Sequence, residues 1–125
     1  YRTWPLAYRW QGDTLVVTCK EATYLTPRSI VESGKGFCWD IPSDGAIYEA
    51  QGTFAFISRQ ALNDLKTNGS FVYDGITWRK IDATDDAIHV RADIDRTEMW
   101  ITLKGNIPLV TELRNNPLGI DWKIE

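Results

Sequence analysis

The segment AIHVRADIDRTEMWITL, Ala87 to Leu103, carries the only histidine of the chain, with Asp93, Asp95 and Glu98 nearby and Arg91 and Trp100 among them. A histidine beside carboxylates is the raw material of general acid–base catalysis, and paired acids can ligate a metal. Spacing argues against both. His89 and Asp93 stand four residues apart on what reads as one strand, roughly 13 Å along its axis. That separation is too long for a shared metal or a direct hydrogen bond. The expectation is a solvated outer face beside a turn, with no catalytic residue, metal ligand or cofactor assigned.

Other reactive sets fall short for equally physical reasons. ESGKGF, Glu32 to Phe37, lacks the glycine–lysine spacing of a phosphate loop and the strand–loop–helix context that such a loop needs. Ser29 and Ser33 have no histidine neighbour and no nucleophile elbow. Cys38 acting as a nucleophile would need His89 to reach it across the fold. Two cysteines and one histidine do not make a four-ligand structural zinc site without a carboxylate. The acidic residues are spread over so many turns that no pair stands out as a glycosidase couple. Asn68-Gly69-Ser70 is a glycosylation sequon in form, yet a helix stop already explains its Asn and Gly.

The aromatic residues are the stronger lead. Six Trp, five Tyr and four Phe are many for 125 residues. Trp10, Trp78 and Trp122 fall on alternating apolar faces and read as core. Trp39, in a long irregular stretch, and Trp100, beside Arg91, do not. Trp39, Arg91 and Trp100 are therefore the expected partner-binding residues, because Trp and Arg dominate binding hot spots. If the ligand instead lies inside the sheet, Tyr8, Trp10 and Phe54 are the expected lining.

These residues need a scaffold. LAYRW and TLVVTCK flank a Gln11–Thr14 turn and predict a hairpin pairing Trp10 with Leu15, Tyr8 with Val17 and Leu6 with Cys19. Residues 22–47 show no sustained period, and such a long irregular segment is often functional. A short helix over Pro27–Glu32, capped by Thr26, is the one element expected within it. YEAQGTFAFI reads as a strand with a bulge at Gly52. SRQALNDLKTNG is the clearest helix, with Ser58 as N-cap, an Ile57–Leu62 staple and Gly69 as stop.

A four-strand meander follows. Asp74-Gly75 predicts a hairpin joining Tyr73 to Ile76 and Phe71 to Trp78. Within the opening segment a turn at Asp95-Arg96 pairs Ile94 with Thr97, Ala92 with Met99 and Val90 with Ile101. That register stacks Arg91 on Trp100 and sets Asp93 opposite Glu98, a like-charge pair needing Arg96 or a cation. NIPLVTELRNN is expected to form a second short helix over Pro108–Arg114. LGIDWKIE closes the chain as a half-buried strand.

The expected fold is thus one α+β domain over residues 1–125, mostly antiparallel. It is a curved sheet or partly open barrel with the meander and one or two short helices. A net charge of −3 without any Lys/Arg run argues against nucleic acid, and no apolar run reaches membrane-spanning length. A start at Tyr1 fits either a processed chain or a domain cut from a longer one. Cys19 and Cys38 are expected to form one bridge. Together these features point to a non-catalytic extracellular, periplasmic or cell-envelope domain recognising a protein or glycan. An acidic immunity-type inhibitor belongs to the same class. The alternatives are a carrier of a small apolar ligand in a curved-sheet cavity, and a small hydrolase or toxin-type effector using His89.

Overall fold

The computed structural model describes residues 2–115 and 121–124. They form two sheets and two helices. The N-terminal hairpin and its continuation make a four-stranded sheet: β2 Leu6–Gln11, β3 Thr14–Cys19, β4 Ala22–Pro27 and β5 Ile47–Glu49, in that spatial order. The larger sheet has seven strands: β1 Arg2–Trp4, β6 Ser70–Tyr73, β7 Ile76–Ala83, β8 Ala87–Ala92, β9 Glu98–Thr102, β10 Val110–Arg114 and β11 Trp122–Ile124. The strands from β6 to β11 meander, each beside the next, and β1 joins the far edge parallel to β11. The fold is α+β and dominated by antiparallel pairs. It is two sheets and not a closed barrel.

Two of the three predicted hairpins keep their register. Leu6 faces Cys19, Tyr8 faces Val17 and Trp10 faces Leu15. Phe71 faces Trp78 and Tyr73 faces Ile76, with Asp74 and Gly75 both at positive φ as a tight primed turn requires. The helix α2, Arg59–Asn68, has the predicted caps: the Ser58 hydroxyl accepts from the Ala61 N–H, and Gly69 turns left-handed. Ala61 and Leu65 bury its inner stripe, and α2 packs on β6 and on α1, Arg28–Ser33. One buried cluster joins the inner faces of both sheets through Phe54, Phe56 and Ile57.

Several expectations need correction. The segment 22–47 is not irregular from its start, because β4 occupies its first six residues. Its inward residues are Ala22, Tyr24 and Thr26, and the polar Thr26 hides the alternation. Thr26 therefore faces the core and does not cap α1, whose N-cap is Pro27 with no side-chain bond. YEAQGTFAFI is a strand only at its start. After β5 the chain becomes an irregular buried run, held by isolated bridges Phe37–Thr53 and Phe56–Leu109.

The segment expected to be a second C-terminal helix is β10. A register shift between Val110 and Glu112 breaks the period of two, which leaves Leu109 and Leu113 at a helix-like spacing. In the last stretch, Trp122 to Ile124 is a strand as expected, while Leu118 and Ile120 lie outside the described residues.

The β8–β9 hairpin is slipped by two residues from the expected register. Val90 pairs with Met99, His89 with Trp100 and Arg91 with Glu98. Its loop is longer because Asp95 accepts the Thr97 N–H at 2.8 Å, and the Asp93 N–H bonds the Thr77 carbonyl on β7. A slip of two leaves every side chain on its expected face. Val90 and Ile101 are accordingly buried, but Ile94 is 73% exposed.

Cys19 and Cys38 are free thiols, so the expected bridge is absent. Cys19 ends β3 with its side chain in the core, whereas Cys38 belongs to a strap of residues 34–46 that is bonded to Thr53 and to the β6–β7 turn at Asp74. Its thiol donates to the Asp40 carboxylate at 3.5 Å.

Candidate functional site

The strap is tied down by its backbone. The Thr53 N–H bonds the Gly36 carbonyl, the Cys38 N–H bonds the Thr53 carbonyl, and the Asp74 N–H bonds the Lys35 carbonyl, at 2.8–3.0 Å. Tyr24 and Tyr48 donate their hydroxyls to the carbonyls of Asp40 and Ile41. Asp74, at the tip of the β6–β7 hairpin, accepts from the Phe37 N–H at 3.3 Å and from the Trp39 indole. Trp39 itself is 62% exposed.

Glycine makes these approaches possible. A Cβ on Gly52 would stand 2.6 Å from the Gly36 oxygen, and one on Gly36 would stand 2.4 Å from the Asp74 carboxylate.

Between the strap and the inner face of the large sheet lies a recess of about 250 Å³. Phe37 and Trp39 of the strap form one wall, meeting edge to face with centroids 5.6 Å apart. Trp4 of β1, Trp122 of β11 and Phe54 form another. Trp4 stacks on Trp122 at 4.8 Å and on Phe54 at 5.4 Å. The floor is the alternating inner set of the meander: Trp78, Ala92, Met99 and Leu113. Ala55, which also lines it, is held at φ 63°, a conformation that non-glycine residues adopt only under constraint. Trp78 is 5% exposed, and its indole N–H has no acceptor among the described residues.

Three carboxylates also line the recess: Asp40, Asp74 and Asp95. Burial pushes the Asp74 carboxyl above its ordinary value, against the bonds from Phe37 and Trp39 that favour its charged form. Burial likewise pushes the Cys38 thiol up, so it is a poor nucleophile.

Trp39, Arg91 and Trp100 are not brought together. Trp39 lines the recess on the inner side of the large sheet, while Arg91 and Trp100 lie on the outer face of β8 and β9. Arg91 does not stack on Trp100, because the slipped register sets it opposite Glu98. His89 takes that place, its ring parallel to the indole at 4.2 Å. Arg114 lies 5.4 Å from the indole centroid.

The expected solvated face is a network instead. His89 Nε2 is 2.8 Å from Glu98, and its Nδ1 is 3.6 Å from Asp82. A bulge between Lys80 and Asp82 brings Asp82 opposite the ring. Asp93, expected to face Glu98, pairs with Arg79 at 2.8 Å. The Nε2 hydrogen bond to Glu98 ties the ring to the sheet, while Asp82 stands at ion-pair distance from Nδ1. It sits across the sheet from Cys38.

Of the three residues expected to line an interior site, Phe54 does so. Tyr8 and Trp10 belong to β2, and the Arg28 guanidinium covers Trp10 at 4.3 Å. Sequence reasoning missed Phe37, Asp74 and Met99, and it read Trp78 and Trp122 as closed core. Their alternation shows that they point inward, but not whether the space they meet is filled.

Among the described residues no group of three or more His, Cys, Asp or Glu side chains is arranged to hold a metal ion, and no helix is long and apolar enough to cross a membrane. No protein family model, curated protein or solved structure matches the chain.

Proposed function

We propose that this chain is a binding protein for a small, mainly apolar molecule held between the strap and the large sheet. The observation that carries this reading is the recess itself. Protein interiors leave few voids larger than a water molecule, so an apolar recess of this size is a feature to be explained. An apolar cavity of roughly 150 Å³ takes a benzene ring. A recess of about 250 Å³ therefore suits an aromatic ring with a short substituent. The constraint at Ala55 adds support, since strained backbone gathers at ligand clamps.

Catalysis is not part of the proposal: His89 stands on the outer face, bonded to Glu98 and away from the recess, and burial pushes the Cys38 thiol up. The free thiols withdraw the bridge that favoured an extracellular home, and the proposal needs no particular compartment.

A second reading is a protein or glycan that caps the same opening. Its motive is the exposure of Trp39, Ile41 and Ile47, at 62%, 55% and 71%, along one stretch of chain.

Met99 is the single methionine and it lines the recess, so its methyl is a ready NMR probe. Titration with 2-phenylethanol should shift that resonance saturably, with a Kd of about 1 mM for so small a ligand. Ala92→Leu, which fills the floor, should weaken the effect at least about tenfold. A Met99 methyl that stays unmoved by a panel of small aromatics at millimolar concentration overturns the reading.

A further inference from the structure

We propose that the β6 edge of the seven-stranded sheet docks a single extended peptide segment of a partner protein, acidic at one end, which pairs with β6 as an added strand. The site is separate from the recess and does not depend on it.

β6, Ser70–Tyr73, is the last strand of its sheet, so one side of its backbone faces no strand. The alternation of an antiparallel pair decides which groups lie on that side. Tyr73 and Ile76 flank the two-residue turn, and the Lys80 N–H bonds the Gly69 carbonyl. Gly69, Phe71 and Tyr73 therefore bond toward β7, while Ser70 and Val72 turn their N–H and C=O outward. No backbone partner meets either of them there among the described residues. The next outward group is the Asp74 N–H, and the Lys35 carbonyl of the strap accepts it at 2.8 Å. The strap thus makes one rung at the end of β6 and leaves the rungs at Val72 and Ser70 open.

A second observation is the lack of protection. Exposed edges are ordinarily blunted by a charge, a proline or a bulge. Among the other edge strands, β2 carries Arg9, β1 carries Arg2 and precedes Pro5, and β5 ends on Glu49. β6 reads Ser-Phe-Val-Tyr, keeps an unbroken register on β7, and leaves Val72 56% exposed.

The occupant follows from what borders the edge. A groove of about 410 Å³ runs beside Ser70 and Val72, with Ala61, Asp64 and Asn68 of α2 on its other side and Lys35 among its lining. What enters meets β6 on one hand and a helix on the other, which suits one strand and not the sheet that a second copy would bring. A residue paired with Val72 shares its face, so it should be β-branched or aromatic. The residue between the two open rungs falls on the Phe71 face, beside the polar groups of α2, and suits Thr. Lys35 has no ion-pair partner among the described residues, so the end near it calls for a carboxylate.

The probes are peptides of the form acetyl-Glu-X-Thr-X-Glu-amide, with X as Val, Ile, Thr or Tyr. Their order reads alike in both directions, so either strand polarity is served. Followed by the protein's backbone amide resonances, at least one should shift Ser70 and Val72 saturably, with a Kd of about 1 mM for so few backbone bonds. The Met99 methyl should stay unmoved. N-methylation of both X residues removes the donors of the new rungs and should weaken binding about tenfold or more. Val72→Pro removes an N–H that β7 does not use, so the fold should survive while binding is lost. Should that variant fail to fold, the N-methylated peptides decide with the unaltered protein. Lys35→Glu should weaken the peptide about twofold to fivefold and leave its Gln-ended counterpart unchanged.

No shift at Ser70 or Val72 with any probe at millimolar concentration, or binding that survives N-methylation, overturns the added strand. So does a protein that sediments as a dimer with its β6 amides already protected, since the edge then belongs to a second copy. An equal loss for Glu-ended and Gln-ended peptides in Lys35→Glu overturns the acidic end.

Discussion

Replacing Gly52 with alanine should loosen the strap by a calculable amount. The added Cβ would meet the Gly36 oxygen at 2.6 Å and the Phe37 carbonyl carbon and oxygen at 2.7 and 2.8 Å. All three are backbone atoms, so no side chain can swing aside. The Gly36 oxygen is also the acceptor of the Thr53 N–H, and the Cys38 N–H bond to Thr53 is the next rung. Losing both bonds costs about 1 kcal/mol each, and the residual crowding brings the expected loss to about 2–3 kcal/mol.

A chain of 125 residues unfolds with an entropy of about 0.26 kcal/mol/K, so the melting temperature should fall by about 8–12 °C. Gly36→Ala is the control. Its Cβ meets the Asp74 carboxylate at 2.4 Å, the free end of a side chain that can rotate away. It should cost about 1 kcal/mol, or roughly 4 °C. Thermal unfolding followed by circular dichroism measures both. If Gly52→Ala melts within about 2 °C of the parent, or if Gly36→Ala is the more damaging, the backbone contact between strap and buried run does not hold the recess closed.

Two further outcomes follow from the same contacts. His89→Ala should destabilise by about 1–2 kcal/mol in urea unfolding, since it removes a ring stack and leaves Glu98 and Asp82 without their shared partner. A loss below about 0.5 kcal/mol would mean that this outer face is solvated after all. Adding a reductant should leave the melting temperature unchanged, and two thiols should react with a thiol reagent once the chain is unfolded. A drop of several degrees, or no reactive thiol in the unfolded protein, would establish a bridge.

The sequence made the local geometry of this fold legible wherever one face alternated cleanly. The Gln11–Thr14 and Asp74-Gly75 hairpins and the capped helix after Ser58 rest on turn chemistry and a period of two or 3.6, and those signals act over a few residues. β4 was obscured by the inward Thr26, and β10 by the bulge after Val110, because each interrupts the apolar period that reveals a strand. The two-residue slip of β8 against β9 turns on side-chain bonds of Asp93 and Asp95 that periodicity cannot weigh. The site was less legible still. Trp39 stood out because no apolar face explained it. Asp74 was read only as half of a turn, and its grip on the strap depends on a loop that arrives from far away in sequence. A void has no residue of its own, so no pattern of residue types announces it.

The parallel pairing of β1 with β11 brings together strands from the two extremities of the described chain, and the Trp4–Trp122 stack at that seam is also a wall of the recess. Closing a loop of nearly the whole chain is the slowest kind of contact to make, since its entropy is spent before any local gain returns. The expectation is that the pocket is completed late, after the hairpins that supply its floor. A ligand held there would act as a clasp across that seam. It would raise the free energy needed to peel either extremity from the sheet by the full measure of its binding, so occupancy would be read out as resistance to fraying and proteolysis at positions distant from the ligand in sequence.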